Sequence, residues 1–151
     1  MHWQELKDKI YFEDGSLRDI YVLNTTKTDW KKWVALVNEK YIVEFYDAKT
    51  DSTSDKIDLK IVEKYWESND RETIQAKIKL NSIIVMCHFF DDSEIENDID
   101  PSDFKSQVDH ANFVGYLDDI AAVLRKEVYV TVENTQSSIL IKRIPSFARD
   151  N

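Results

Sequence analysis

Apolar and polar side chains alternate along several stretches of the chain, and this period of two predicts strands. The clearest stretch is 73–80, where every second residue is apolar and those between are Thr, Gln or Lys. Such alternation predicts a strand with one buried and one solvated face. Residues 83–90 are apolar on both faces, which predicts a central strand. The other predicted strands are 17–24, 41–46, 94–99, 128–132 and 139–144.

Apolar side chains three or four residues apart predict helices elsewhere. Residues 29–39 carry two tryptophans and two valines at this spacing, and Thr28 or Asp29 can cap the helix at its start. Asp55 can cap a second helix. Residues 1–12 have the pattern of a short amphipathic segment that leads into the first strand.

A longer helix is predicted to begin at Asp100, because an N-cap residue followed by Pro101 at the first helical position is a common start. It extends to about residue 126. Gly115 lies inside it and costs up to about 1 kcal/mol relative to Ala, so we expect it to permit close packing. The predicted buried face comprises Phe113, Leu117, Ile120, Ala121 and Leu124.

The predicted elements follow the order β-α-β-α-β-β-β-α-β-β. Runs of adjacent strands separated by helices indicate the α+β class, with a mostly antiparallel sheet and helices on one face. A chain of 151 residues predicts a single domain, 1–151. Within it, 47–55 is predicted to be a polar loop and 145–151 a loose tail.

The net charge of −9 excludes two broad classes of partner. Nucleic acids and anionic membranes attract Lys and Arg, so a chain this acidic is predicted to bind neither. It suits a basic partner. A single cysteine, Cys87, excludes an intramolecular disulfide, and the first residues do not have the pattern of a signal peptide. Both observations predict a cytoplasmic protein.

The acidity is concentrated in residues 91–103, which hold seven acids and no Lys or Arg. Without these seven charges the rest of the chain has a net charge of only −2. Four of the acids occupy alternate positions, so a strand places all four on one face and the isoleucines between them on the other. We predict that this surface and the next acid bind a partner. The predicted partner-binding residues are Glu94, Glu96, Asp98, Asp100 and Asp103.

Two other interpretations of the acidic segment remain open at this point. The acids can protect an edge strand from aggregation. Alternatively, a few carboxylates can hold a divalent cation, although the loop that starts at Asp98 has Asp103 where a calcium-binding EF-hand requires glycine. No spacing of residues indicates a defined metal site or a cofactor. Cys87 and His88 are neighbours on a predicted strand and point to opposite faces, so Cys87 is predicted to be a buried structural residue rather than a nucleophile.

The segment Leu17 to Val22, followed by Thr28-Asp29-Trp30, resembles the opening of a group of small bacterial proteins. The segments 87–90 and 94–101 resemble the acidic strand of that group. In size, acidity and α+β order the chain is also similar to immunity proteins of bacterial contact-dependent and polymorphic toxin systems. This resemblance implies an inhibitor that neutralises a basic toxin domain, often a nuclease, by direct binding.

Three functions therefore remain in view. The first is a non-enzymatic immunity protein, monomeric or homodimeric, that binds its cognate basic toxin through the acidic surface. The second is a non-catalytic binding or oligomerisation module with another partner. The third is a metal-assisted enzyme without a familiar motif.

Overall fold

The computed structural model describes residues 1–145. Four α-helices and eight strands form one α+β unit, which confirms the predicted fold class. The helices are α1 (Trp3–Lys9), α2 (Lys27–Lys40), α3 (Leu59–Glu67) and α4 (Gln107–Leu124). The strands are β1 (Arg18–Leu23), β2 (Ile42–Asp47), β3 (Ser52–Ser54), β4 (Ile74–Leu80), β5 (Ile83–Cys87), β6 (Glu94–Ile99), β7 (Val128–Val132) and β8 (Thr135–Arg143).

All eight strands belong to one antiparallel sheet in the order β3-β2-β4-β5-β6-β1-β7-β8. The predicted order omits two of the observed elements. The segment leading into the first strand is a helix, α1, and the predicted loop 47–55 contains the short edge strand β3. Strand β3 consists of Ser-Thr-Ser, all exposed, so it has no apolar alternation by which to recognise it.

The helices cover one face of the sheet, and a single apolar core lies between the two layers. Every second residue of most strands points into this core. The predicted buried face of α4 is confirmed, because all five of its apolar residues are buried. Indole and benzyl rings fill the part of the core under α2 and α3. They belong to Trp30, Trp33, Phe45, Trp66 and Phe89.

The other side of the sheet, called the open face below, has no helix against it. The prediction of a central strand within residues 83–90 is confirmed, because β5 lies between β4 and β6, but only one of its two apolar faces is covered by helices. In β5, Val85 and Cys87 face the core, whereas Ile84 is 37% exposed on the open face. The strand also ends at Cys87, before Phe89 takes a left-handed backbone conformation.

The start of α4 differs most from prediction. Asp100 caps a 3-10 helix of only three residues, Pro101–Asp103, by accepting a hydrogen bond from the backbone of Ser102. Phe104 then extends the chain and is buried with its ring 4.0 Å from that of Tyr11. Helix α4 begins only at Gln107. Burying Phe104 against Tyr11, which follows α1, takes priority over continuing the helix.

Three further predictions about the helices are corrected. Helix α2 is capped by Thr26, whose side chain forms a reciprocal capping box with Asp29. Helix α3 is capped by Asp58 rather than Asp55. Gly115 does not serve close packing within the chain, because a Cβ atom there meets no atom within 4 Å.

The last two strands form a hairpin that curves over the open face. Strand β8 begins at Thr135, four residues before the predicted strand, and its pairing with β7 contains register shifts. Two strands separate β8 from β6, yet Gln136 Nε2 lies 3.5 Å from Glu94 Oε2. The hairpin therefore folds back over the intervening strands. The predicted loose tail, 145–151, lies outside the described residues after Pro145.

Candidate functional site

The acidic strand lies in the middle of the sheet. Strand β6 covers the predicted residues 94–99 and pairs with β5 on one side and β1 on the other. Ile95 and Ile99 are buried beneath the helices, whereas the three acids between and before them are half-buried on the open face. The edge-strand interpretation is wrong, because β6 lies between β1, which pairs along its whole length, and β5, which pairs at Asn97 and Asp98.

Strand β1 adds an unpredicted carboxylate and two apolar neighbours to this surface. Its register places Asp19 opposite Asp98, Tyr21 opposite Glu96, and Leu23 opposite Glu94. Directly opposed side chains share a face, about 4.5–5.5 Å apart at Cβ. The alternation of β1 indicates which residues share a face, but no local signal shows that β1 lies beside β6. We call Asp19, Glu94, Glu96 and Asp98 the acidic patch.

Burial and the neighbouring carboxylates raise the pKa values of two acids in the patch. Burial raises the pKa of Asp19, and the charge of Asp98 raises it further against two hydrogen bonds that lower it. Those bonds come from the backbone N–H of Asn134 at 2.7 Å and the hydroxyl of Tyr21 at 3.2 Å. Burial also raises the pKa of Glu96, and the other three acids of the patch add to the rise. The patch is thus an accumulation of negative charge that the fold only partly neutralises.

His88 is an imidazole neighbour of this patch. Its Nε2 lies 3.4 Å from Asp98 Oδ2, and the hydrogen bond to Asp98 raises the pKa of the imidazole. The sequence places His88 next to Asp91 and Asp92, but the partner it meets comes from the neighbouring strand. No Lys or Arg forms an ion pair with the patch among residues 1–145.

The two remaining acids of the predicted surface lie beyond the end of β6. The carboxylate of Asp100 caps the 3-10 helix through Ser102. The carboxylate of Asp103 accepts a hydrogen bond from the backbone N–H of Ile84 at 3.2 Å. Burial raises the pKa of Asp103, and the charge of Asp100 contributes to the rise. Both acids therefore have local structural roles. The acids within β6, in contrast, point away from the core.

A cavity of about 350 Å³ adjoins the patch where the β7–β8 hairpin curves over the open face. We call it the hairpin cavity. Tyr21 and Leu23 of β1 form one wall, and residues of β7 and β8 form the rest. The full lining comprises Tyr21, Leu23, Tyr129, Thr131, Gln136, Ser137 and Ile139. The lining is mainly apolar, although Glu94 and Glu96 lie on the adjacent strand β6. The sequence alone gives no sign of the cavity, because it depends on how far the hairpin curves.

The open face also carries exposed apolar side chains. Ile42 on β2 is 69% exposed and Ile139 on β8 is 49% exposed, while Leu23 and Ile84 are less so. These four account for half of the large apolar residues that are exposed among residues 1–145. The open face therefore combines apolar contacts with concentrated negative charge.

Cys87 lies on the opposite, core-facing side of the sheet. It is fully buried, as predicted, and burial raises the pKa of its thiol to about 12. His88 points the other way, so the two do not form a nucleophile–base pair. Between Met1 and Pro145, no three His, Cys, Asp or Glu side chains are arranged so that they could hold a metal ion.

None of the helices in the described part of the chain is long and apolar enough to cross a membrane. No protein-family model, no curated protein and no solved structure matches this chain.

Proposed function

We propose that this protein is an immunity protein, a non-enzymatic inhibitor that binds a basic toxin domain through the acidic patch. The observation that carries the proposal is the position of Glu94, Glu96 and Asp98. They occupy successive outward positions of a central strand, on the sheet face that no helix covers. Asp19 extends this charge onto the next strand.

Electrostatics supports binding of a cationic surface. Mutual repulsion and burial raise the pKa of Asp19 and Glu96, so positive side chains brought close to them relieve an existing cost. Charge of one sign concentrated on one face also steers an oppositely charged partner and accelerates association. Close charge pairs in an inhibitor interface can couple by about 1.5–7 kcal/mol.

The placement of the patch supports inhibition rather than transient contact. The patch projects from hydrogen-bonded strands in the middle of a sheet, where β1 pairs along the whole of β6 and β5 pairs with it at Asn97 and Asp98. A partner therefore meets a preorganised surface and loses little free energy in ordering it. The proposal assigns no catalytic step to these carboxylates. It locates the protein in the cytoplasm, where a toxin that enters the cell acts.

The decisive experiment is coexpression with the C-terminal domain encoded by the gene immediately upstream. Immunity predicts that the domain arrests growth, that this protein restores growth, and that the two copurify. The double variant Glu96→Lys/Asp98→Lys should lose protection, weaken binding at least 100-fold and flatten its salt dependence. Glu39→Lys/Glu67→Lys is the matched control, because it changes the same charge at exposed positions on the helices.

Two results would contradict the proposal. A neighbouring domain that is harmless, or that is toxic but unaffected by this protein, would remove the immunity role. Equal binding by the two double variants would remove the acidic patch as the interface.

Self-association through the open face is the second candidate, and the exposed Ile42, Ile84 and Ile139 favour it. Apolar contacts of this kind give a dimer whose dissociation constant changes little with salt. Light scattering at 50 and 500 mM NaCl distinguishes the two functions. A dimer at both concentrations supports self-association, whereas a monomer that binds a basic partner only at low salt supports inhibition.

A further inference from the structure

We infer that the hairpin cavity binds the side chain of one arginine from the basic partner. The inference rests on the proposed function, since it names the residue by which that partner is anchored. The cavity opens on the same face as the acidic patch, and Tyr21 lines the cavity while lying opposite Glu96 of the patch. A cation can therefore enter this recess between apolar walls and still reach carboxylates.

The size and lining suit a single long side chain. A volume of about 350 Å³ lies at the lower end of the range for ligand pockets. Leu23 and Ile139 offer aliphatic contacts, and the rings of Tyr21 and Tyr129 add flat surfaces. Lys and Arg both carry an aliphatic stem that packs on such surfaces while the charged end remains at the polar rim.

The adjacent carboxylates need a donor that the fold does not fully supply. Tyr21 lies between Asp19 and Glu96, and its one hydroxyl proton is donated to Asp19. The same hydroxyl also interacts with Glu96 and lowers its pKa, so a single proton serves two acceptors. A cation that carries several N–H groups satisfies the second carboxylate without removing the first bond.

Glu94 is similarly placed at the mouth of the cavity. Its carboxylate faces Gln136 across 3.5 Å, which is the long limit of a hydrogen bond, and the amide is uncharged. Leu23, one wall of the cavity, lies directly opposite Glu94 in the register. A guanidinium at the mouth therefore reaches Glu94 while its stem contacts Leu23.

Arginine fits this arrangement better than lysine. Its planar fork donates to two carboxylate oxygens at once and stacks on aromatic rings, whereas an ammonium is a compact, strongly hydrated charge. The native Lys142 lies 5.9 Å from the centre of the Tyr129 ring and pairs with Glu127 at 3.4 Å. Since Glu127 neutralises Lys142, that lysine does not repel an incoming cation strongly.

The test uses three capped amino acids as probes of the intact protein. N-acetyl-arginine amide, N-acetyl-lysine amide and N-acetyl-citrulline amide are titrated separately while amide shifts are followed by ¹H–¹⁵N NMR. We expect the arginine probe to shift the amides of Leu23, Gln136 and Ile139 saturably, with a millimolar Kd. The lysine probe should bind at least threefold more weakly, and the uncharged citrulline probe at least tenfold.

A pair of tryptophan variants tests the location of binding. Leu23→Trp fills the cavity from its wall and should weaken arginine binding at least fivefold. Ile42→Trp is the control, because Ile42 is an exposed apolar residue on the same face at the far side of the sheet. Both variants must retain the wild-type spectrum elsewhere, and Ser137→Trp provides a second way to fill the cavity if Leu23→Trp does not fold.

Failure of this inference is distinguishable from failure of the proposed function. Equal binding of arginine and citrulline, or binding that neither filling variant weakens, overturns the arginine site. If Glu96→Lys/Asp98→Lys still abolishes toxin binding in that case, inhibition through the acidic patch stands alone. If the arginine probe binds in the cavity but the charge variants leave the toxin complex intact, the proposed interface fails instead.

Discussion

Asp19 on β1 lies directly opposite Asp98 on β6, so two carboxylates face each other across adjacent central strands. Like charges in this relationship destabilise an antiparallel pair. The fold offsets part of the cost locally. Asn134 donates its backbone N–H to Asp19, and His88 lies beside Asp98. The patch therefore persists at a free-energy cost, and this cost can be measured.

The first prediction is that Glu96→Gln stabilises the protein at neutral pH. Gln keeps the shape of the side chain and leaves the Tyr21 hydrogen bond to Asp19 in place, but it removes one charge from the patch. We expect the free energy of unfolding at pH 7 to rise by about 0.5 kcal/mol, within the ~0.2–1 kcal/mol of cross-strand pairs. Urea unfolding followed by tryptophan fluorescence measures it.

The pH dependence gives this prediction its sign. The pKa of Glu96 in the folded protein is raised above its ordinary value of 4.5, so the folded state holds the proton more tightly than the unfolded chain. Stability due to this group is therefore lost as pH rises from 4.5 through the folded-state pKa. Glu96→Gln should remove that loss, whereas the exposed control Glu39→Gln should not. Identical pH profiles for the two variants would contradict the prediction.

The second prediction concerns two histidines whose pKa values are shifted in opposite directions by the fold. The Asp98 hydrogen bond raises the pKa of His88, and burial lowers the pKa of His110, whose Nδ1 lies 2.6 Å from the Tyr11 hydroxyl. Histidine ring signals in NMR should titrate above pH 6.5 for His88 and below it for His110. Asp98→Asn should lower only the first, and a shift of both would indicate a global change instead.

These shifts also predict the effect of pH on stability. The contribution of His88 is fully present below pH 6.5 and is lost as pH rises through its higher folded-state pKa. The contribution of His110 is present above pH 6.5 and is lost as pH falls toward its lower folded-state pKa. Replacing His88 with Gln should therefore destabilise the protein more at pH 5.5 than at pH 8.

The third prediction separates the two glycines. Gly115→Ala should raise the free energy of unfolding by about 0.5–1 kcal/mol, because Ala is the better helix former and its Cβ meets nothing. Gly15→Ala should lower it by about 1 kcal/mol or more, since Gly15 has φ +84°. Thermal unfolding of both variants decides this. A destabilising Gly115→Ala would show that α4 needs its glycine for a reason inside the fold.

The fourth prediction concerns a buried hydrogen-bond network in the core. The Tyr116 hydroxyl donates to Asn97 Oδ1 at 2.5 Å and accepts from Trp33 Nε1 at 3.3 Å. Tyr116→Phe leaves both partners unpaired in the core, at a cost of about 1–3 kcal/mol. A double-mutant cycle with Asn97→Leu should show a coupling of at least 0.5 kcal/mol, in the range typical of residues in contact. Strictly additive effects would show that the bond contributes nothing.

The strand that carries the candidate site is predictable, but the neighbours of that strand are not. Alternation in 94–99 is local information, so the bounds and outward acids of β6 follow from the sequence. Asp19 is 79 positions away from Asp98, and only the fold brings them together. Similarly, the polar start of β8 from Thr135 lacks alternation, so the curved hairpin and its cavity emerge only in three dimensions.

The helix boundaries illustrate a different limit. Asp100-Pro101 has the local chemistry of a helix start and does cap a turn, but Phe104 finds its place against Tyr11 and interrupts the helix. Thr26 and Asp29 likewise form a capping box that the spacing of the tryptophans does not reveal. Tertiary packing therefore decides the boundary at Phe104, whereas the boundary at Thr26 follows from a local capping motif with an acid three residues later.

In the six residues of β6, the inward side chains pack in the core and the outward side chains form the proposed binding surface. Ile95 and Ile99 hold the strand against the helices, while Glu94, Glu96 and Asp98 lie half-buried on the open face. Substitutions at the outward positions leave the inward packing unchanged. Under the proposed function, the outward positions can therefore change the partner that is bound while the scaffold beneath stays constant.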